Sequence, residues 1–119
     1  MEFSKSLKLN HIFRRLYSKG KSCANGLLVI YCRPNGSQEN RIGLTVSAKL
    51  GHAVVRNKVR RRLREIYRLN EHKFLPGYDL VVVARSRAVT APYGKLESAY
   101  LRLADKLGLL RKTDEETLS

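Results

Sequence analysis

The run of residues 56–68 combines dense positive charge with the apolar periodicity of a helix. It holds seven Lys and Arg side chains and a single acid, Glu65. Apolar side chains recur at helical spacing and form one face of a wheel: Val59, Leu63, Ile66 and Tyr67. Polar side chains line the opposite face: Asn57, Arg61, Arg64 and Arg68. The pattern predicts a folded helix with one side on a core and the other side facing a polyanion.

The charges of this run are poorly compensated within the run itself. At i, i+4 spacing Glu65 can pair only with Arg61, so the other cations repel one another unless an anion binds. Asn57 is a candidate N-cap. A helix that starts there would place Lys58, Arg60 and Arg61 at the positive end of the helix macrodipole. A phosphate bound at that end would relieve the repulsion, and this favours contact with nucleic acid.

The whole chain is strongly basic and has the length of one domain. In 119 residues, 24 Lys and Arg oppose 10 Asp and Glu, which gives a net charge of +14. Such a charge attracts phosphate-bearing partners. We expect one domain over residues 1–119, with a disordered acidic tail at residues 113–119.

Neither a membrane segment nor a secretory signal is visible in the sequence. No apolar run approaches the roughly 20 residues that span a bilayer, and the first residues lack the apolar stretch of a signal peptide. We therefore expect a cytoplasmic protein with no membrane partner.

The cysteines and histidines do not form a recognisable chemical site. Cys23 and Cys32 fall mostly within one predicted strand, so a disulfide between them is not expected. His11, His52 and His72 have no second ligand at metal-binding spacing. Two thiols without a catalytic or metal role are the expected outcome.

Periodicity predicts six elements in the order αββαβα. A helix over residues 10–19 is followed by a strand over residues 27–32, and the alternation of residues 42–46 predicts its antiparallel partner. The connecting turn is expected at residues 34–36, and residues 48–55 are expected to form a loop before the basic helix.

The C-terminal part of the chain predicts an interior strand and a closing helix. Residues 78–84 are apolar on both faces, which is typical of an interior strand. The last helix should open near Pro92. The basic helix then connects two parallel neighbouring strands, and base rates favour a right-handed crossover.

Residues 41–68, RIGLTVSAKLGHAVVRNKVRRRLREIYR, resemble the signature of the bacterial ribonuclease P protein component. In that family a strand ending in V-S-K-K or a similar run precedes a glycine loop, then A-V-x-R-N-R, then a basic helix. The matching positions are Val46, Ser47, Lys49, Gly51, Ala53, Val54, Arg56, Asn57, Arg60, Arg61, Arg64 and Glu65. The flanking helices, a tyrosine-bearing strand and a P-G-x-D strand also agree, so the resemblance covers nearly the whole chain.

The sequence departs from the family pattern at two positions. Lys58 stands where the motif has its second arginine, and Ala48 stands where the first of two adjacent lysines is common. Lysine keeps the charge but lacks the planar fork of arginine, so a phosphate contact at position 58 is expected to be less directional.

The resemblance implies a fold and a function. The fold is an α+β, two-layer αβ sandwich of the ribosomal protein S5 domain 2-like type, with a left-handed crossover in place of the right-handed one that base rates favour. The implied protein binds a large catalytic RNA, the ribonuclease P RNA subunit, and with it removes the 5′ leader of precursor tRNA. The RNA supplies the chemistry with Mg²⁺, so the protein is expected to have no catalytic residue and to bind no cofactor or metal of its own.

The resemblance also assigns two sets of binding residues. The positions expected to contact the catalytic RNA are Lys49, Arg56, Asn57, Lys58, Arg60, Arg61, Arg64 and Arg68. The positions expected to contact the precursor tRNA leader are Phe13, Tyr17 and Tyr31. Aromatic rings stack on bases with little sequence preference, which suits varied leaders. Ordinary core packing is the alternative for all three aromatics.

Three other functions share some of these features. A ribosomal-type or other structural RNA-binding protein with no processing role would have the same charge and element order. A DNA-binding regulator would need a helix-turn-helix context and a dimerisation element, and neither is evident, so no DNA partner is expected. A protein-only nuclease would need clustered carboxylates, whereas the ten acids here are scattered.

Overall fold

The computed structural model describes the backbone of residues 4–6 and 10–111 and the side chains of residues 14–111. Within these residues the strands are β1 (Ser4–Ser6), β2 (Lys21–Ala24), β3 (Leu28–Pro34), β4 (Asn40–Thr45) and β5 (Tyr78–Ala84). The helices are α1 (Asn10–Lys19), α2 (Ala53–Asn70) and α3 (Tyr93–Lys106). Short 3-10 turns lie at Ala48–Leu50, Glu71–Lys73 and Ser86–Ala88. The predicted α+β class is confirmed, and the predicted tail at residues 113–119 lies outside the described residues.

The strands form one mixed sheet in the order β1-β4-β5-β3-β2. β5 pairs in parallel with β4 and antiparallel with β3, and β1 pairs in parallel with β4 at one edge. Because β5 is apolar on both faces, it occupies the interior of the sheet, as its sequence predicted. The parallel crossover from β4 through α2 to β5 is confirmed as well, while its handedness stays a prediction.

The predicted pairing of β3 with β4 is wrong, because β5 lies between these two strands. The connecting loop bonds to the start of β5 and does not close a hairpin. The backbone N–H of Asn35 donates to the carbonyl of Gly77 at 2.8 Å, and its side chain donates to Asp79 at 3.1 Å. Gly77 has φ +89°, and a Cβ there would lie 2.7 Å from the carbonyl oxygen of Ser37. Only glycine permits this close approach of loop and strand.

The predicted element order omitted β1 and β2. The sequence of β2, KSCA, carries no apolar alternation, and its pairing with β3 is set by the turn between them. The side-chain oxygen of Asn25 in this turn accepts hydrogen bonds from the backbone N–H groups of Leu27 and Leu28, at 3.0 and 2.9 Å. Such an Asx turn reverses the chain, and the Asn25-Gly26 dipeptide within it is a hairpin signal that the prediction did not use.

Helices cover both faces of the sheet, unequally. α2 and α3 pack on one face and enclose the main core, which includes Leu28, Ile30, Leu80 and Val82. α1 packs on the opposite face, where buried Leu16 contacts Val81. The two-layer sandwich is therefore the sheet with α2 and α3, and α1 adds a partial layer on the other side.

The start of α2 differs from the prediction. The helix begins at Ala53, with His52 as an N-cap that makes no side-chain cap bond, so Asn57 lies in the second turn and is not the N-cap. Residues 53–55 were expected to be loop, but they are helical. The segment before them is already ordered as a 3-10 turn, in which the Ser47 side chain accepts a hydrogen bond from the Lys49 N–H. The predicted crowding of cations at the helix start is reduced to Arg56.

Both cysteines are free, as expected. Cys23 lies opposite Ile30 in the β2–β3 pair, whereas Cys32 lies opposite Lys21. No helix among residues 10–111 is long and apolar enough to cross a membrane.

Candidate nucleic-acid interface

The eight positions expected to contact catalytic RNA lie on α2 and on the turn that precedes it. We call them the basic face: Lys49, Arg56, Asn57, Lys58, Arg60, Arg61, Arg64 and Arg68. Six of them are exposed, and only Arg56 and Arg60 are half-buried. The structure therefore places the whole predicted set on one helix and on the turn before it.

The opposite side of α2 fixes this surface in place. The four apolar residues predicted to face the core are all at most 2% exposed: Val59, Leu63, Ile66 and Tyr67. Asn70 at the helix end donates to the Glu97 carboxylate of α3 at 3.0 Å. Arg62 donates to the carbonyl oxygen of Ala91 at 3.2 Å, which ties the helix to the segment before α3. These contacts restrict rotation of α2 about its own axis, so its cations keep a fixed orientation relative to the sheet.

The acid of α2 pairs with a different partner from the one predicted. Glu65 accepts two hydrogen bonds from Arg68, at 2.6 and 3.1 Å, and makes no ion pair with Arg61 in the described structure. The i, i+3 geometry lets the Nε and Nη2 atoms of Arg68 each donate to a different carboxylate oxygen of Glu65. The hydrogen bond from Arg68 lowers the pKa of Glu65, and the same bond raises the pKa of Arg68. Arg68 is therefore partly neutralised before any RNA binds.

Two half-buried arginines are held close to the helix. Arg60 donates to the side-chain oxygen of Asn57 at 3.2 Å. The Nε of Arg56 is buried and lacks a hydrogen-bond partner among the described residues. These two guanidinium groups have less rotational freedom than the exposed cations beyond them.

Three exposed cations are uncompensated. Lys58, Arg61 and Arg64 have no hydrogen-bond or ion-pair partner within residues 14–111. Arg61 and Arg64 lie three positions apart on one side of the helix, where like charges repel. An anion that bridges them removes this repulsion, so the surface is suited to a phosphate backbone.

A second candidate surface lies on the other face of the sheet, beneath α1. We call it the aromatic groove: Tyr17, Tyr31 and Thr45. The rings of Tyr17 and Tyr31 meet edge to face with centroids 4.8 Å apart, and the Tyr17 hydroxyl lies 3.4 Å from Oγ1 of Thr45. Tyr17 is 43% exposed, so it is not a core residue, whereas Tyr31 is half-buried against Leu16 and Val81. The side chain of Phe13, the third predicted residue, lies outside the described residues.

A charged row continues the floor of this groove, and the sequence analysis missed it. Arg33, Asp79 and Arg41 are neighbours across β3, β5 and β4, on the same sheet face as Tyr31. Arg41 makes two hydrogen bonds of 2.6 Å to the buried carboxylate of Asp79. The Nη1 of Arg33 is buried with no described partner. The signal was available, because strand alternation places Tyr31 and Arg33 on one face.

Neither surface contains a recognisable metal site. Within the part of the chain that the structure describes, no group of three or more His, Cys, Asp or Glu side chains is placed to hold an ion. The carboxylates nearest the two surfaces, Glu65 and Asp79, are each engaged by an arginine.

Sequence comparison gives one consistent family. The family model for ribonuclease P matches residues 1–108. The ribonuclease P protein component of Alkaliphilus oremlandii is 49% identical over 104 residues, which cover 87% of this chain and 91% of that protein. The component of Alkaliphilus metalliredigens is 46% identical over 110 residues, covering 92% of this chain and 99% of the relative.

Solved structures agree with the sequence relatives. The ribonuclease P protein of Staphylococcus aureus superposes with a TM-score of 0.82 at 32% identity, covering 89% of this chain and 97% of that one. The protein of Thermotoga maritima gives a TM-score of 0.79 at 31% identity, with 86% and 96% of the two chains covered.

Proposed function

Because this chain belongs to the bacterial ribonuclease P protein family, the accessory subunits of a ribonucleoprotein endoribonuclease, we propose a division of labour between its two surfaces. The basic face binds the RNA subunit of the enzyme. The aromatic groove binds the 5′ leader of precursor tRNA. The protein contributes affinity and positioning to removal of the leader, in the cytoplasm.

One observation carries the first assignment. Lys58, Arg61 and Arg64 project from a helix whose other side is fully buried, and they lack a partner among the described residues. Phosphates that neutralise them release condensed counterions, so binding gains free energy and becomes strongly salt-dependent. Because the helix is already docked, little ordering of its backbone is needed when the RNA binds.

The assignment of the leader to the aromatic groove rests on the exposed ring of Tyr17, which packs against half-buried Tyr31. Tyr17 is 43% exposed, and its edge-to-face contact with Tyr31 limits its motion. A base that stacks on such a ring gains about 1 to 3 kcal/mol with little dependence on base identity. The groove can therefore accept leaders of different sequence.

The chemistry belongs to the RNA subunit, with Mg²⁺ as its ion. Mg²⁺ prefers oxygen ligands in octahedral array, and the described residues of this chain offer no cluster of carboxylates for it. The residues present do not fit a protein-held ion, so no step of the protein's contribution runs through one. The protein acts by holding both RNAs in register.

The proposal is tested by leader cleavage at low Mg²⁺. Precursor tRNA is incubated with bacterial ribonuclease P RNA alone, with this protein alone, and with both. We expect cleavage to be stimulated only in the mixture, because the protein supplies binding energy that replaces part of the ion requirement.

The other outcomes point elsewhere. RNA binding without stimulation would favour a structural RNA-binding role with no processing function. Cleavage by the protein alone would mean that a protein active site exists, against the scattered carboxylates.

A further inference from the structure

A third concave surface lies at the edge of the molecule formed by α3 and the turn between β2 and β3. It encloses a cavity of about 720 Å³. We call it the α3 groove: Asn25, Gly26 and Leu27 on the turn, and Lys95, Arg102 and Lys106 on the helix. Neither the basic face nor the aromatic groove contributes a residue to it.

The cations of this groove form one stripe. Lys95, Arg102 and Lys106 are exposed and stand at positions i, i+7 and i+11 of α3. With a rise of 1.5 Å per residue, they are separated by about 10 and about 6 Å along the helix axis. None of the three has an ion-pair partner among the side chains of residues 14–111.

Two further arginines stand at the rim. The Nη1 of Arg87 lies 3.6 Å from the position that a Cβ on Gly26 would occupy. Arg85 donates from Nη1 to the carbonyl oxygen of Asn25 at 3.1 Å. Two further positive charges therefore lie close to the turn.

Neither acid of α3 lines the groove. Glu97 accepts a hydrogen bond from Asn70 and so faces α2, and Asp105 is not among the groove residues. The groove residues include no carboxylate, and none of the three cations forms an ion pair with a described acid. A solvated helix face normally mixes charges at this spacing.

The α3 groove is spatially separate from both surfaces already described. α3 packs over β3 and β2, whereas α2 packs near β4. In the sheet order, β5 and β3 lie between β4 and β2. The aromatic groove is on the opposite face of the sheet, with α1.

We infer that the α3 groove binds the sugar–phosphate backbone of a base-paired segment of the RNA subunit. This rests on the proposed function, which supplies the RNA partner. The groove offers three aligned cations and no aromatic side chain on which an unpaired base could stack. Contacts of this kind position a duplex without reading its sequence.

The test neutralises the three cations of the stripe and compares this variant with a control that loses the same net charge elsewhere. One variant carries Lys95→Gln, Arg102→Gln and Lys106→Gln. The control carries Lys19→Gln, Lys73→Gln and Arg111→Gln, three exposed cations outside all three surfaces. Binding of each protein to ribonuclease P RNA is measured over a range of salt concentrations, and circular dichroism checks that both variants are folded.

We expect the stripe variant to lose about 10- to 100-fold in affinity at physiological salt and about 2 to 3 units of the salt slope. The control should lose much less, and Lys95→Arg with Lys106→Arg should retain wild-type binding because the charge is kept. Equal losses in the stripe and control variants would overturn the inference, since only overall charge would then matter.

A second arm distinguishes the two RNAs. Precursor tRNA with and without a leader is bound to the assembled enzyme made with each variant. If the stripe variant binds the RNA subunit normally but binds precursor tRNA weakly, the groove belongs to the substrate and the inference is wrong. If the wild-type protein fails to bind the RNA subunit at all, the proposed function itself fails, and this is a separate result.

Discussion

Single side chains decide how much of the positive charge is available to RNA. Arg68 is bound by Glu65 with two hydrogen bonds, whereas Arg61 and Arg64 on the same helix have no described partner. At i, i+4 spacing the sequence allowed Glu65 to pair only with Arg61, and the i, i+3 partner Arg68 was not considered. The observed i, i+3 pair leaves Arg61 free of this acid and constrains Arg68 instead.

Substitution Glu65→Gln should strengthen binding to the RNA subunit. It removes the only acid of α2 and frees the Arg68 guanidinium for a phosphate, so we expect affinity to rise by about two- to fivefold at low salt. Fluorescence anisotropy with labelled RNA measures this gain, and Glu71→Gln, an acid outside α2, serves as a control. A variant that binds no better than the control would mean that Arg68 does not contact RNA.

The lowered pKa of Glu65 gives the same pair a pH dependence. A carboxylate whose folded pKa is depressed contributes its stabilisation above its unfolded pKa and loses it as the pH falls through the folded value. Wild-type and Glu65→Gln proteins should therefore converge in thermal stability only in acid, below about pH 4. Thermal melts from pH 3 to pH 7 give the comparison, and equal stability at every pH would show that this exposed pair contributes nothing measurable.

The ring of Tyr17, rather than its hydroxyl, should be the part that binds the leader. Tyr17→Ala removes the stacking surface and should weaken binding of leader-bearing precursor tRNA by about 5- to 100-fold, whereas Tyr17→Phe keeps the ring and should bind nearly as well as wild type. Mature tRNA without a leader is the matched ligand. If both variants weaken mature tRNA equally, the effect is not on the leader.

Elements with strong periodicity were predictable, and elements defined by their partners were not. The bounds of α1 followed from apolar spacing together with Asn10 and Gly20 at its ends, and the interior position of β5 followed from its apolar run. β2 was missed because its own sequence lacks alternation, although the Asn25-Gly26 dipeptide of the following turn was a hairpin signal. The start of α2 was misplaced because asparagine is a common helix N-cap, which favoured Asn57. The helix instead starts at Ala53, shortly after the 3-10 turn that Ser47 caps. This error does not change the set of basic-face residues, since seven of them lie on α2 and Lys49 lies on the turn before it.

α2 should carry a substantial part of the salt dependence of RNA binding. Arg61→Ala with Arg64→Ala removes two exposed cations that have no described contacts within the protein, so stability should change little while the salt slope falls by about 2 units. Lys73→Ala with Arg111→Ala is the charge-matched control. An unchanged slope in the α2 variant would remove this helix from the RNA interface.

The whole molecule places its binding surfaces around one shared sheet. The basic face and the α3 groove lie with the helices on one side, and the aromatic groove lies on the other side under α1. Residues of β3 belong to both cores, because Ile30 and Cys32 face α3 while Tyr31 faces α1. Loss of the sheet would therefore disrupt every surface at once.

Alkylation of Cys32 should report this global opening. The thiol is 2% exposed at the centre of β3, and burial raises its pKa, so both access and thiolate content are low in the folded protein. In a Cys23→Ala variant, iodoacetamide labelling at pH 8 should follow the unfolded fraction across a urea titration, and bound RNA should slow it. The Cys32→Ala variant, labelled at half-buried Cys23 in the edge strand, should react in native buffer; rapid native labelling of Cys32 would contradict a rigid sheet.

The interior position of β5 has a consequence for the order in which the protein is made. β3 and β4 leave the ribosome before β5, yet they touch each other only through it. Until residue 84 has emerged, the nascent chain carries two unpaired strand edges and a fully synthesised basic helix with no sheet to dock on. The apolar side of the helix that we propose binds RNA therefore lacks its sheet at this stage of synthesis, close to the RNA of the ribosome itself.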